Sequence, residues 1–298
     1  MTTRINPFKG TGIALVTPFT QEGIVDLAGL TVLINRCIEG GVDFLVALGT
    51  TAETSTLSKD EKEAVVAHIV KTNAQRLPIV LGVGGNNTAE VCAALRHIPE
   101  GISGILSVSP YYNKPSQEGI FQHFKAISEA SALPIILYNV PGRTSSNVSA
   151  QTTLRIASAC SNIVATKEAS GNMEQIMEII HGAPIGFDVL SGDDNLTLPM
   201  LACGAQGVIS VSGQGFPSIF SKMVAQAMEG DMPAARKNHY ALLRFTQDLF
   251  AEGNPGGIKA ALAHLGVCTS HVRLPLWKVS EALDTKMAAH VQSLRSGI

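Results

Sequence analysis

Eight short apolar runs, each followed by enough chain for one helix, set the strongest limit on what this chain can fold into. They fall at residues 13–16, 44–48, 79–83, 105–108, 135–138, 163–167, 189–191 and 208–211. Continuous β-branched runs, rather than alternating ones, belong to strands covered on both faces, and strands joined through a helix lie parallel. Ser58-Lys59-Asp60-Glu61 has the S-x-x-E form of a capping box ahead of a helix at 63–72. Eight strand–helix units in the first ~220 residues predict an α/β fold, a closed (β/α)8 TIM barrel. A dinucleotide-binding sheet competes only at Gly82-Val83-Gly84-Gly85, where the third glycine of the fingerprint is missing and the run follows the third strand.

From residue 231 the strand signal stops. Residues 234–250, 258–265 and 279–294 read as helices, with Gly253-Asn254-Pro255-Gly256-Gly257 between the first two. The expected division is a barrel carrying the active site over 1–230 and a C-terminal helical domain over 231–298.

With 15% charged residues and a net charge of -2, nothing favours nucleic acid or a membrane surface, so the expected partner is small. Cys37, Cys92, Cys160, Cys203 and Cys268 are scattered and odd in number, which suggests neither a disulfide framework nor a zinc site. The histidines form no metal-binding pattern, and no metal is expected. The first six residues have no apolar core of a signal peptide, and no run reaches the ~18 apolar residues of a membrane span. The expected compartment is the cytoplasm.

In such a barrel the site lies at the C-terminal strand ends. The sixth run, Ile163-Val164-Ala165-Thr166-Lys167-Glu168, ends by placing a lysine next to a glutamate. A lysine at a strand end is commonly a snorkelling or ion-paired residue, here with Glu168. Burial, however, lowers an amine's pKa toward neutrality and frees it to attack a carbonyl, so Lys167 is a candidate Schiff-base nucleophile. The other strand ends favour that role. Gly49-Thr50-Thr51-Ala52-Glu53-Thr54 offers backbone and hydroxyl donors for a carboxylate. Three of the four tyrosines lie in Pro110-Tyr111-Tyr112-Asn113 and at Tyr138, where phenols can relay protons. Arg143, in a Pro-Gly loop, presents a fork suited to a carboxylate. Asp193 and Asp194 read as helix caps for 195–202.

Taken together, Gly-Thr-Thr at 49–51, Pro-Tyr-Tyr-Asn at 110–113, Tyr-Asn-Val-Pro-Gly-Arg-Thr at 138–144, Lys-Glu-Ala at 167–169, Ser-Gly-Asp-Asp at 191–194 and Gly-Val-Ile-Ser at 207–210 resemble the dihydrodipicolinate synthase family of pyruvate-dependent class I aldolases. The resemblance runs from Gly12 to the C-terminal helices. It implies that Lys167 forms an imine with pyruvate, that the derived enamine attacks L-aspartate 4-semialdehyde, and that no separate cofactor is needed. By position Tyr138 would move protons, linked through Thr50 to Tyr112. Thr51 would hold the pyruvate carboxylate, Arg143 that of the semialdehyde, and the main chain around Ile209 would line the pyruvate pocket. The family usually forms a homotetramer of two tight dimers, with Tyr112 reaching into the neighbouring site.

Two departures from the family pattern stand out. Gly-Thr-Thr-Gly-Glu-Ser is here Gly-Thr-Thr-Ala-Glu-Thr, so Ala52 is expected to tolerate a backbone shape often given to glycine. In lysine-inhibited members histidines match Lys59 and Lys62, while Asn86, Glu90 and Tyr111 are kept; with Thr54 and Ser55 these outline a possible effector site. Two cations facing a cationic effector predict weak or absent feedback by L-lysine. The rival reading is N-acetylneuraminate lyase or a 2-keto-3-deoxy sugar acid aldolase. These share the lysine and tyrosine but typically lack an arginine matching Arg143.

Overall fold

The first strand begins three residues earlier than its apolar run, because glycines hide it. A computed structural model describes residues 6–297, so residues 1–5, on which the reading of the N-terminus rests, lie outside it. Strand β1 is Gly10–Ala14 rather than 13–16. A Cβ on Gly12 would come within 2.2 Å of the Phe44 ring, so a bare backbone is required where that ring fills the barrel.

After β1 come α1 (Leu27–Glu39), β2 (Phe44–Ala47), α2 (Lys59–Asn73), β3 (Ile79–Gly82), α3 (Thr88–Leu95), β4 (Gly104–Val108), α4 (Gln117–Ala130) and β5 (Ile135–Asn139). The order continues with α5 (Pro141–Thr144), α6 (Ala150–Ala159), β6 (Ile163–Glu168), α7 (Met173–Gly182), β7 (Asp188–Ser191), α8 (Thr197–Ala202), β8 (Gly207–Ser210) and α9 (Pro217–Met228). The eight strands pair in parallel, each with its successor, and β8 closes on β1. The chain is therefore a (β/α)8 barrel, with α10 (Met232–Phe250), α11 (Gly256–His264) and α12 (Glu281–Ser296) added at the C-terminal end. Ser58 caps α2 in a reciprocal capping box with Glu61, as its sequence predicts. Arg143 lies not in an open loop but in the one-turn helix α5, opened by Pro141.

Two apolar clusters divide the strands by parity. Phe8, Phe44, Val46, Val80, Leu106, Ile136, Leu190 and Ile209 fill the barrel interior. Leu45, Ala47, Ile79, Leu81, Ile105, Ile135 and Leu137 face the helices. Strict alternation along β6 from the outward Ile163 would send Lys167 outward too. Instead the β5–β6 register slips by one: Ile135 pairs with Ile163, but Ile136 pairs with Ala165. Val164 and Ala165 both belong to the interior cluster, and beyond the slip Lys167 stands beside the inward Tyr138. A one-residue slip exchanges the two faces of a strand, and here it turns the lysine into the barrel.

The C-terminal helices are tied to the loop after β2 by buried charge. Lys259 on α11, with no exposed surface, donates to the Glu53 carboxylate and, at 2.9 Å, to the His271 carbonyl. The Arg273 backbone N–H donates to the other Glu53 oxygen at 2.9 Å. The Lys259 amine and the Arg273 guanidinium lie 4.1 and 4.4 Å from the Phe19 ring centroid. Among the described residues no helix is long and apolar enough to cross a membrane.

Candidate active site

At the C-terminal mouth of the barrel, Lys167, Tyr138, Thr50, Thr51, Arg143, Gly192, Asp193, Asn195 and Asn254 line a cavity of about 300 Å³. Lys167 is 6% exposed, and its Nζ lies 4.4 Å from the Tyr138 ring centroid. Burial lowers its pKa from the ordinary 10.5 to about 8; the Asp194 carboxylate opposes that shift and the Arg143 guanidinium adds to it. At pH 7 roughly a tenth of the amines are then uncharged, against roughly 0.03% for an unshifted lysine.

The ion pair with Glu168 does not form. Glu168 turns the other way and accepts from Asn139 at 3.0 and 3.1 Å, from the Ser170 N–H at 2.9 Å and from Gln175 at 3.3 Å. Lys167 shows no salt bridge among the described residues. Gly192 makes room for the lysine: a Cβ there would meet Ala169 Cβ at 2.7 Å and Lys167 Cγ and Cε at 3.1 Å.

The Tyr138 phenol is pushed up to about 12 by burial, with the Arg143 charge and a hydrogen bond with the Thr50 side chain acting in the opposite direction. It therefore stays neutral at physiological pH, able to give and take a proton as a hydroxyl.

A lysine amine that is partly uncharged at neutral pH, at the barrel mouth, suits Schiff-base chemistry. The model of the dihydrodipicolinate synthetase family matches residues 7–294. This chain belongs to that family. Among relatives, the 4-hydroxy-tetrahydrodipicolinate synthase of Flavobacterium psychrophilum is 50% identical over 288 residues, covering 96% of this chain and 98% of that one. The crystal structure of the dihydrodipicolinate synthase from Aquifex aeolicus is 42% identical, with a TM-score of 0.93 over 97% of this chain and 98% of that one. The Thermotoga maritima enzyme superposes with a TM-score of 0.95 at 36% identity, covering 97% and 99%.

Within this family member the remaining predicted residues fall into three groups. Thr50, Thr51 and Arg143 share the cavity with Lys167 and Tyr138. The Ile209 side chain packs in the barrel interior, and Val211, two residues on, lines the cavity. Tyr112 is 88% exposed and lies outside the cavity lining, at a φ of +71°.

Of the possible effector residues, Thr54, Ser55, Lys62 and Tyr111 border an adjoining hollow of about 540 Å³ that also reaches Thr50, Tyr138 and Arg143. Lys59, Asn86 and Glu90 are outside that lining. Lys59 lies 3.8 Å from Glu63, Asn86 donates to the Tyr111 carbonyl at 3.2 Å, and Glu90 accepts from Asn87 at 2.9 Å. The Thr54 hydroxyl is engaged at home, with the Gly49 carbonyl 2.8 Å away.

Ala52 needs no glycine-like backbone. It lies in a short 3-10 turn over Thr50–Ala52, and the left-handed conformations fall on Leu48 and Glu53, at φ +52° and +55°. Asp193 caps the following turn, as its sequence predicts, accepting from the Asn195 N–H at 3.1 Å. Asp194 does not act as a cap. It is buried and accepts from the Val211 and Ser212 N–H groups at 3.1 and 2.8 Å, and its charge acts on Lys167. Sequence reasoning also missed Asn254, which meets Thr51, and the Lys259–Glu53 pair, contacts that span about 200 residues of chain with no local signal. The Gly-Asn-Pro-Gly-Gly run was the one hint, and it read as a spacer.

Proposed function

We infer that this chain catalyses the 4-hydroxy-tetrahydrodipicolinate synthase reaction, condensing pyruvate with L-aspartate 4-semialdehyde in the diaminopimelate route to L-lysine. The observation that carries the reading is Lys167, an amine brought to about 8 by burial at the mouth of the barrel, beside a neutral phenol. The free amine adds to the keto carbon of pyruvate. Loss of water leaves an imine, and loss of a methyl proton turns that into an enamine. The enamine carbon bonds to the aldehyde carbon of the semialdehyde, whose oxygen takes up a proton, restoring the imine; the amino group brought by the semialdehyde then attacks the imine carbon, closing the ring and releasing the Lys167 amine.

Tyr138 is proposed to move these protons, helped by Thr50, whose side chain borders the same cavity and opposes the upward push on the phenol. Thr51 holds the pyruvate carboxylate and Arg143 that of the semialdehyde. Arg143 supports the semialdehyde over the neutral sugar aldehyde of a sugar-acid aldolase, which brings no second carboxylate: its guanidinium has no salt-bridge partner of its own among the described residues and meets the cavity as a free fork. The covalent imine takes the place of a separate cofactor.

The exposed Tyr111 and Tyr112 fit a face covered in a homotetramer, where Tyr112 would serve a neighbouring site. Residues 1–230 are read as the catalytic barrel, 231–298 as its helical partner, and the cytoplasm as the compartment. Borohydride reduction with pyruvate should leave one adduct at Lys167, and a coupled assay should favour aspartate semialdehyde over sugar-acid aldehydes. No adduct, or an equal rate with the sugar-acid substrate, would refute the assignment.

A further inference from the structure

We propose that Asn254, outside the barrel, is a positioning residue that directs the Thr51 hydroxyl proton into the cavity, so that the C-terminal unit completes the keto-acid carboxylate site. The proposal rests on the reading above that Thr51 receives that carboxylate. Both residues line the cavity, and Asn254 Nδ2 donates to Thr51 Oγ1 at 2.9 Å. A hydroxyl has one proton and two lone pairs. With one lone pair taken by the amide and no protein acceptor bonded to the Thr51 proton among the described residues, that proton is left to the cavity. A carboxylate, which only accepts, is its natural partner there.

The segment that carries Asn254 is held firmly. A Cβ on Gly257 would lie 2.0 Å from the Leu249 carbonyl oxygen, so the start of α11 packs directly on the end of α10. One turn further, Lys259 is locked to Glu53, two residues from Thr51. The loop bearing Thr50 and Thr51 is therefore gripped from the C-terminal side at both its hydroxyl and its carboxylate. Asn254 Oδ1 is buried without a partner, which defines the competing arrangement. With the amide reversed, Thr51 would donate to Oδ1 and its proton would point away from the substrate.

The two arrangements respond oppositely to aspartate, which accepts but cannot donate. Full-length Asn254→Asp, Asn254→Ala, Thr51→Val and the Thr51→Val/Asn254→Asp double variant should be compared by the pyruvate concentration that half-saturates borohydride trapping, together with kcat at saturating substrates. Asn254→Asp is expected to raise the half-saturating pyruvate at least tenfold, because the hydroxyl turns to the new carboxylate. Asn254→Ala, which leaves the hydroxyl free to rotate, should raise it about threefold, with kcat within twofold of wild type in both. In the Thr51→Val background Asn254→Asp should add less than twofold. An aspartate variant no worse than the alanine variant overturns the proposal. So does the same tenfold loss without the Thr51 hydroxyl, which marks plain charge repulsion. Should Asn254→Asp not fold, an alanine variant that saturates like wild type is sufficient to overturn it. Wild-type saturation in Thr51→Val alone refutes the carboxylate assignment itself.

Discussion

Replacing Lys167 by methionine should abolish imine formation and, at neutral pH, make the protein more stable. The amine is taken out of water, and its pKa falls from 10.5 to about 8. At 1.36 kcal/mol for each tenfold step in proton affinity, this corresponds to about 3 kcal/mol working against the fold at pH 7. The sign follows from proton uptake. The unfolded chain holds the lysine proton more tightly than the native one, so the cost is complete below pH 8. It shrinks as pH rises from 8 to 10.5 and is absent above that. Methionine removes it and fills similar space.

A stability change of 1 kcal/mol shifts the melting temperature of a mid-sized domain by about 2–4 °C, so Lys167→Met should melt several degrees above wild type at pH 7. The gain should fade as the buffer approaches pH 10.5. Differential scanning fluorimetry across that range tests this, alongside pyruvate trapping by the wild-type enzyme, whose rate should climb to about pH 8 and then level off. A gain that is constant from pH 7 to 10.5, no gain at all, or trapping that keeps rising through pH 9.5 would refute burial as the source of the free amine.

Arg143→Ala should raise KM for the semialdehyde tenfold or more, measured by coupled assay, while pyruvate is still trapped. Lys259→Met strands a fully buried carboxylate and should cost about 3–5 kcal/mol in denaturant melts; adding Glu53→Gln should recover part of that loss. Tyr112→Phe should lower turnover and leave imine formation detectable, and wild-type turnover in that variant removes it from the proton relay. L-lysine added to the assay should inhibit weakly or not at all, since Lys62 borders the hollow where it would sit; strong inhibition at low concentration contradicts this.

Patterning alone was enough for the barrel and for most of the cavity's residue types. Apolar runs spaced by one helix permit few topologies, and a short capping signal such as Ser58 with Glu61 acts within a single turn. Residues that line the cavity next to strand ends, such as Tyr138, Thr50 and Arg143, are open to such reasoning because the fold places strand ends at the mouth. Strand β1 was misplaced because its glycines answer to the Asp43 carboxylate and the Phe44 ring, neighbours at the start of another strand. Asp194 was misjudged for a similar reason. A buried carboxylate serving the backbone of Val211 and Ser212 looks, in one dimension, the same as an exposed cap.

That a lysine stands near the end of the sixth strand, with threonines, tyrosines and an arginine at the other strand ends, is legible along the chain, because composition and periodicity are local properties. Which way that lysine faces is not. A single slip in pairing between β5 and β6 turned Lys167 from the helices into the interior, and contacts spanning about 200 residues brought Asn254 to Thr51 and Lys259 to Glu53. Side-chain direction and charge burial depend on what lies across the gap, and that is settled by closure of the barrel and docking of the last three helices.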